Sequence, residues 1–246
     1  MELRFEIEAE RWRAFEGARL AGEAWTWRRP DGKRFVSFGD GAAVELARRI
    51  GLEHGEALYT EVDSADAKAL RLLGSVPFVG DRTEHVWEVP TRTGLSQAPL
   101  EEFEVSSPEA LGHDRVREFD DLLRQDSPGL WGWEWTAEDW AAEHDSNYDP
   151  ALYPIALEPK TGELAGMARV WLNPSGPRLG LVAVARGFRR RRLGAALLAR
   201  VGSLLAERGF ETMASECDAS NSASIALLSA AGGRRVGRTV ELVYRP

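Results

Sequence analysis

Apolar and polar positions in the second half of the chain alternate between strand and helix spacing. Leu179–Val184 is a strongly apolar run that reads as a buried strand. Leu193, Leu197, Val201, Leu204 and Leu205 form one helical stripe, which Gly209 ends. Phe210–Cys217 reads as a further strand, Ser222–Ala231 as a short helix and Thr239–Tyr244 as the last strand. Upstream, Pro154–Leu157 and Leu164–Leu172 read as a hairpin around the turn E-P-K-T-G-E, and Phe103–Val105 as a short strand. Pro108 suits a first helical position after a Ser107 cap. Val116, Phe119, Leu122 and Leu123 continue that region at helical spacing until Ser127-Pro128-Gly129 breaks it. Thr136 caps another helix, with Asp139 at its third position. This order predicts an α/β fold with a mixed, mostly antiparallel sheet flanked by helices.

The same order of elements occurs twice. Residues 61–78 and 216–233 align at an offset of 155, bringing Glu61 to Glu216, Asp63 to Asp218, Asp66 to Asn221 and Leu72-Leu73 to Leu227-Leu228. In each copy a strand runs into a polar turn, a short helix and a strand ending at proline. The polar stretch Thr91–Pro99 carries Gly and Pro, as linkers do. The expected organisation is a partial first unit over residues 1–94 and a fuller second unit over residues 100–246.

Composition narrows the picture. The chain has 246 residues, 43% hydrophobic and 28% charged, enough for a proper core without cross-links. The single Cys217 excludes an internal disulfide and suits a reducing compartment. The charged N-terminus does not resemble a signal peptide, and no run approaches a membrane span, so a soluble cytoplasmic protein with no membrane partner is expected. Too few His and Cys fall together for a metal site. The formal net charge of −8 argues against nucleic acid as a partner. Against that acidic background Arg186, Arg189, Arg190, Arg191 and Arg192 are crowded into one short segment.

That cluster lies where the apolar strand Leu179–Val184 meets the helix starting near Arg192. The first turn of a helix has unpaired N–H groups and a positive dipole end, and both attract phosphate. Gly194 permits close approach to the backbone, and Ala195 and Ala196 are nearly as small. Arginines around the turn add charge-assisted bonds to phosphate oxygens. The other readings are a solvated charge run or a nucleic-acid patch; a buried strand feeding directly into the cluster favours phosphate.

The run V-A-V-A-R-G-F-R-R-R-R-L-G-A (Val182–Ala195) resembles motif A of the GNAT superfamily of N-acetyltransferases, in the tandem type with a degenerate N-terminal copy. D-A-S-N-S-A-S-I-A-L-L-S-A-A-G-G downstream resembles its motif B. The resemblance implies that acetyl-CoA is the cosubstrate, with no metal. It implies that Val182 and Val184 offer backbone to pantetheine, with Ala183 between them among the cofactor-binding residues. Arg189, Arg190, Arg191, Arg192, Leu193, Gly194 and Ala195 then form the pyrophosphate loop, and Asn221 contacts the cofactor. Asn221 also suits a helix N-cap. Three positions depart from the pattern. Arg192 stands at the family's first loop glycine, Leu228 at its frequent tyrosine, and Gly233 at its usual aromatic. The first unit's F-G-D-G-A-A lacks the arginines, and Asp40 there would repel phosphate.

The resemblance implies direct transfer of acetyl to an amine of unidentified small-molecule or peptide acceptor. The ammonium form is not nucleophilic, so a base is needed. The resemblance places a Glu on or near the strand preceding the loop. Here that strand carries none, and Glu216 on the neighbouring strand is the catalytic candidate the resemblance suggests, with a structural carboxylate at a strand end as its other reading. The Trp-rich stretch Leu130–Trp140 reads as core and lid packing or as an acceptor wall, with Glu134, Glu138 and Asp139 as acceptor-side carboxylates. His113 and His144 are expected at the surface. With Leu228 in place of a proton donor, a CoA-binding sensor or scaffold without catalysis is the alternative. Two units in one chain imitate a dimer, so a monomer or a homodimer is expected.

Overall fold

The computed structural model describes residues 3–145 and 147–246. It divides into two compact units, Met1–Glu84 with Gly237–Pro246, and His85–Val236. Strands β1 (Arg4–Glu8), β2 (Arg11–Glu16), β3 (Arg19–Arg28) and β4 (Arg34–Phe38) precede helix α1 (Ala43–His54), strand β5 (Leu58–Asp63), helix α2 (Ala67–Gly74) and strand β6 (Val79–Pro90). Strand β7 (Glu104–Ser106) and helices α3 (Pro108–Leu111), α4 (His113–Gln125) and α5 (Ala137–Ala142) follow. Then come β8 (Ile155–Leu157), β9 (Leu164–Asn173), β10 (Gly176–Val184), α6 (Leu193–Glu207), β11 (Thr212–Asp218), α7 (Ser222–Ala230) and β12 (Arg234–Tyr244).

In the first unit β1 to β4 form an antiparallel meander. A crossover through α1 places β5 parallel to β4, and the end of β12 pairs antiparallel with β5 from Thr239↔Asp63 to Tyr244↔Leu58. Period-two burial of Trp12 and Ala14 on β2, with Ala24 on β3, meets the helical stripe Leu46, Ala47 and Ile50 of α1. On the other sheet face the buried Glu241 carboxylate is matched by Arg29, Lys33 and Arg82, as a charge withdrawn from water requires.

In the second unit the strands run in the order β6-β11-β10-β9-β8-β7. β8, β9 and β10 are antiparallel, and α6 carries the chain across to β11, parallel to β10. One sheet face packs Ala168, Val170, Leu179 and Met213 against Leu197, Val201 and Leu205 of α6. The other packs Met167 and Leu181 against Val116, Phe119 and Leu123 of α4 and against Trp135 and Trp140. No described helix is long and apolar enough to cross a membrane.

Two sequence expectations are corrected. The region after Ser107 is broken at Gly112, whose φ of +88° no regular helix contains, and Ser107 makes no side-chain cap. Leu122 is exposed, because the buried side of α4 runs through Val116, Phe119, Asp120 and Leu123. The two positions aligned at the repeat offset play the same local part. Asp66 accepts from the backbone of Lys68 and Ala69 to cap α2, and Asn221 accepts from Ser224 to cap α7.

Candidate functional site

Strands β10 and β11 are paired only at Arg178↔Ala214 and Leu179↔Ser215. Beyond that point β10 continues to Val184 and β11 to Asp218 without pairing to each other, so their facing backbone edges open into a wedge. The other edge of β10 stays paired with β9 as far as Val184↔Gly166. The divergence begins at a bulge: Leu179 faces Val170 and Leu181 faces Arg169, leaving Gly180 as the extra residue. A Cβ there would lie 1.6 Å from the Trp171 ring, so any other residue would have to displace the indole or the strand.

At the top of the wedge, Ala185–Arg192 turn into α6. Two non-glycine residues of this loop are left-handed, Arg190 at φ +67° and Arg192 at φ +60°. Arg192 is the N-cap of α6 and makes no side-chain cap. Arg192 thus holds, as an ordinary L-residue, a backbone conformation that glycine adopts more readily. Leu193 is buried and anchors the helix start, while Gly194 and Ala195 remain partly exposed. The unpaired N–H groups of the first turn thus sit beside small residues at the wedge.

The arginines divide by partner. Arg189 donates through Nε to the Val184 carbonyl at 2.9 Å and pairs with Asp126 at 3.1 Å. Arg186 donates to Asp126 as well, and these bonds hold the Asp126 carboxyl below the usual range. Arg191 pairs with Glu102 at 2.7 Å and lies over the Phe103 ring. Arg190 and Arg192 have no side-chain partner among the described residues. Ala185 N donates to Ala165 on β9, so by the alternation of an antiparallel pair Ala183 bonds to β9 while Val182 and Val184 face the wedge. The Val184 carbonyl is already engaged by Arg189, which leaves the backbone of Val182 open.

On the β11 side, Glu216 stands one residue past the last paired register and accepts from Arg178. The Asn221 carboxamide oxygen is bound to Ser224 N at 3.0 Å, which leaves its amide N–H₂ free to donate. Leu228 is buried at 2% exposure, so α7 presents no phenol. The corresponding turn of the first unit is closed from within. A Cβ at Gly22 of β3 would lie 2.2 Å from the Gly41 oxygen, and Asp40 pairs with Lys68.

The opposite sheet face holds groups that the sequence did not single out. Arg169 of β9 is fully buried between Trp140, Trp171, Trp135 and Tyr153, at 4.5, 4.9, 5.3 and 5.4 Å from its Cζ to the ring centroids. Asp120 accepts from Arg124, Arg169 and the Trp135 indole. Glu143, at the end of α5, lies 3.5 Å from Arg169. A charge inside the apolar run L-A-G-M-A-R-V-W-L was the available signal, because a buried arginine needs a buried anion. Trp135 and Trp140 are core residues, whereas Trp131 is exposed. Asp139 is taken up by Thr136, and Glu134 and Glu138 are exposed. His144 is corrected from surface to half-buried: it packs on Trp140, Tyr148 and His113, and its Nδ1 donates to the Trp140 carbonyl at 2.6 Å. No cluster of three metal-ligating side chains occurs among the described residues.

A family profile described as the acetyltransferase (GNAT) family matches residues 103–232. No curated protein matches the chain. Among solved structures, a GCN5-related N-acetyltransferase from Sphaerobacter thermophilus has a TM-score of 0.65 at 19% identity, covering 97% of this chain and 81% of that one. A tandem GNAT protein from the clavulanic acid biosynthesis pathway gives 0.63 at 15%, covering 95% and 82%. A glucosamine N-acetyltransferase region of a fungal multi-domain β-N-acetylglucosaminidase gives 0.65 at 13%, covering 95% of this chain and 33% of that one. At these identities the likeness is one of fold.

Proposed function

The chain belongs to the acetyltransferase (GNAT) family, and on that premise we propose that its second unit binds acetyl-CoA and transfers the acetyl group to an amine. The observation that carries the reading is the wedge between β10 and β11 where it opens beneath the first turn of α6. Unpaired strand backbone at Val182 suits the amide groups of a pantetheine arm. The turn Arg189–Ala195 suits a pyrophosphate, with free N–H groups, a small Gly194 and the unpartnered guanidiniums of Arg190 and Arg192. Arg189 shapes the loop through Val184 and Asp126. Asn221 reaches the cofactor with its amide, and Glu216 lines the mouth. Acceptor and thioester are held together, so positioning supplies a large part of the rate.

The first unit is read as a copy without a cofactor site, since its own strand β3 packs against the turn before α1. The acceptor amine is a small molecule or a peptide. Calorimetric titration with acetyl-CoA tests the reading; absence of binding up to millimolar concentration overturns it. The second reading, a CoA-binding protein without catalysis, is favoured by Leu228 and predicts binding with no thiol release across an amine panel.

A further inference from the structure

On the face of β9 and β10 away from α6, charged side chains of alternating sign form a row. Asp120 and Arg169 are closed to solvent and joined at 2.9 Å. Arg169 Nη2 lies 3.5 Å from Glu143 Oε2, and further out Arg178 pairs with Glu216. Glu143 is where the buried end of the row meets water, its side chain 32% exposed. It is also the least engaged carboxylate of the row. Its 3.5 Å contact is an ion pair beyond ordinary hydrogen-bond length, and it is the only side-chain partner of Glu143 among the described residues. Arg169 keeps Nε and Nη2 without a hydrogen bond although both are buried.

The register places this carboxylate. Arg169 faces Leu181, the residue after the bulge, and the Trp171 ring covers Gly180. Glu143, held at Arg169, therefore lies on the β9 side of the bulge at which β10 leaves β11, on the face opposite α6. The α6 face is the one assigned to the phosphates, so an acceptor entering from the other side meets Glu143 and Trp171 first. We infer that Glu143 is the base that takes the proton from the acceptor ammonium, with Arg169 and Asp120 as its positioning residues. This rests on the acetyltransferase reading.

The electrostatics agree with the geometry. Burial raises the Glu143 carboxyl above its usual range; Arg169, Arg124 and Arg178 oppose the rise, and Asp120 adds to it. Tyr153 faces the same cluster and is pushed up to about 12 by burial, so it stays neutral there. A raised carboxylate is a stronger base at neutral pH than an exposed one. In the step, an N–H bond of the ammonium breaks and an O–H bond forms on Glu143. The freed lone pair attacks the thioester carbonyl, and the C–S bond breaks with its electron pair going to sulfur. The second nitrogen proton ends on the thiolate, and Glu143 returns its own to solvent. Glu216, engaged by Arg178, is the competing candidate.

The test compares two small nucleophiles by thiol release from acetyl-CoA. Propylamine is an ammonium ion at neutral pH, whereas hydroxylamine is mostly uncharged and needs no base. Glu143→Gln is expected to lower the propylamine rate by on the order of 10²-fold and to leave both the hydroxylamine rate and acetyl-CoA affinity unchanged. In the wild type the propylamine rate should level off above the Glu143 titration, whereas in Glu143→Gln it should keep rising with pH, following the free-amine fraction alone. Equal loss with both nucleophiles, no loss with propylamine, or a selective loss in Glu216→Gln instead overturns the assignment. So does a wild-type protein that binds acetyl-CoA but releases no thiol with propylamine. If acetyl-CoA does not bind at all, the acetyltransferase reading fails, and the assignment with it.

Discussion

Arg169 of β9 donates to Asp120 of α4 at 2.9 Å, and neither side chain is exposed. The same carboxylate also holds Arg124. One buried anion therefore serves two guanidiniums, and removing it leaves Arg124 without a carboxylate and Arg169 with only the partly exposed Glu143 at 3.5 Å. Asp120→Asn is expected to cost about 3–5 kcal/mol, read as a lower urea midpoint at unchanged slope. A cost below about 1 kcal/mol, the level of an exposed pair, would contradict the burial argument.

The same cluster sets an acid dependence of stability. Burial alone would raise Asp120, but Arg169 and then Arg124 outweigh it and hold the carboxyl below its usual value. A depressed carboxylate contributes stability above its unfolded pKa of 3.8 and loses it as pH falls through the folded value. Burial depresses His144 below 6.5, so its neutral form is favoured by folding and stability is lost as pH falls from 6.5 through the lowered value. Glu143, raised by burial, acts in the opposite direction, losing stability as pH rises from 4.5 through its raised value. Urea midpoints are expected to fall in two steps on acidification, one starting near 6.5 and one below 3.8. His144→Phe should flatten the first step and keep the second.

Much of this architecture is legible in the sequence because one residue type at one spacing determines it. The α6 stripe is read from Leu193, Leu197, Val201 and Leu205, all of which the structure buries. Asp66 and Asn221 share the repeat offset and both cap helices. The anion-type turn is legible for the same reason, as a buried strand ending in a cluster of arginines. Glu143 and Arg169 are not legible as a pair, since they come from separate elements and meet only when α5 packs over β9. Nor does alternation show that β12 pairs with β5, because period two fixes which face a side chain takes and not which strand lies alongside.

Gly180 and Trp171 give a local test of the bulge. An added Cβ would fall 1.6 Å from Cζ3 of the indole, so Gly180→Ala must displace the ring or the strand. Overpacking of this kind costs about 1–3 kcal/mol. The penalty is expected to shrink when Trp171→Ala is present in the same chain, because the clash is then gone. Additive costs in that double-mutant cycle would rule out direct contact as the cause.

Arg192 holds a left-handed backbone as an ordinary L-residue. That conformation costs about 1–2 kcal/mol without glycine, while glycine loses roughly 0.5–1 kcal/mol through its freer unfolded chain. Arg192→Gly is therefore expected to stabilise the protein by about 0.5–1 kcal/mol, a rise in Tm of roughly 1–4 °C. If Arg192 also contacts phosphate, acetyl-CoA affinity should weaken even as Tm rises, and most clearly at low salt. Tm and affinity falling together would instead mean that the arginine side chain supports the loop.

Gly194 separates ligand binding from folding. Its added Cβ would meet only Val184 Cγ2 at 3.5 Å and Leu227 Cδ2 at 3.9 Å, ordinary contact distances. The residue is also partly exposed at the helix start, so the fold has room for a side chain there. A phosphate seated on the first-turn N–H groups has no such room, because a large side chain would occupy the space in front of them. Gly194→Trp is expected to keep the wild-type Tm and to abolish the calorimetric signal for acetyl-CoA. Gly194→Ala, which adds one methyl, should bind acetyl-CoA like the wild type. Retained binding in the tryptophan variant, with the fold intact, would place the pyrophosphate somewhere other than the start of α6.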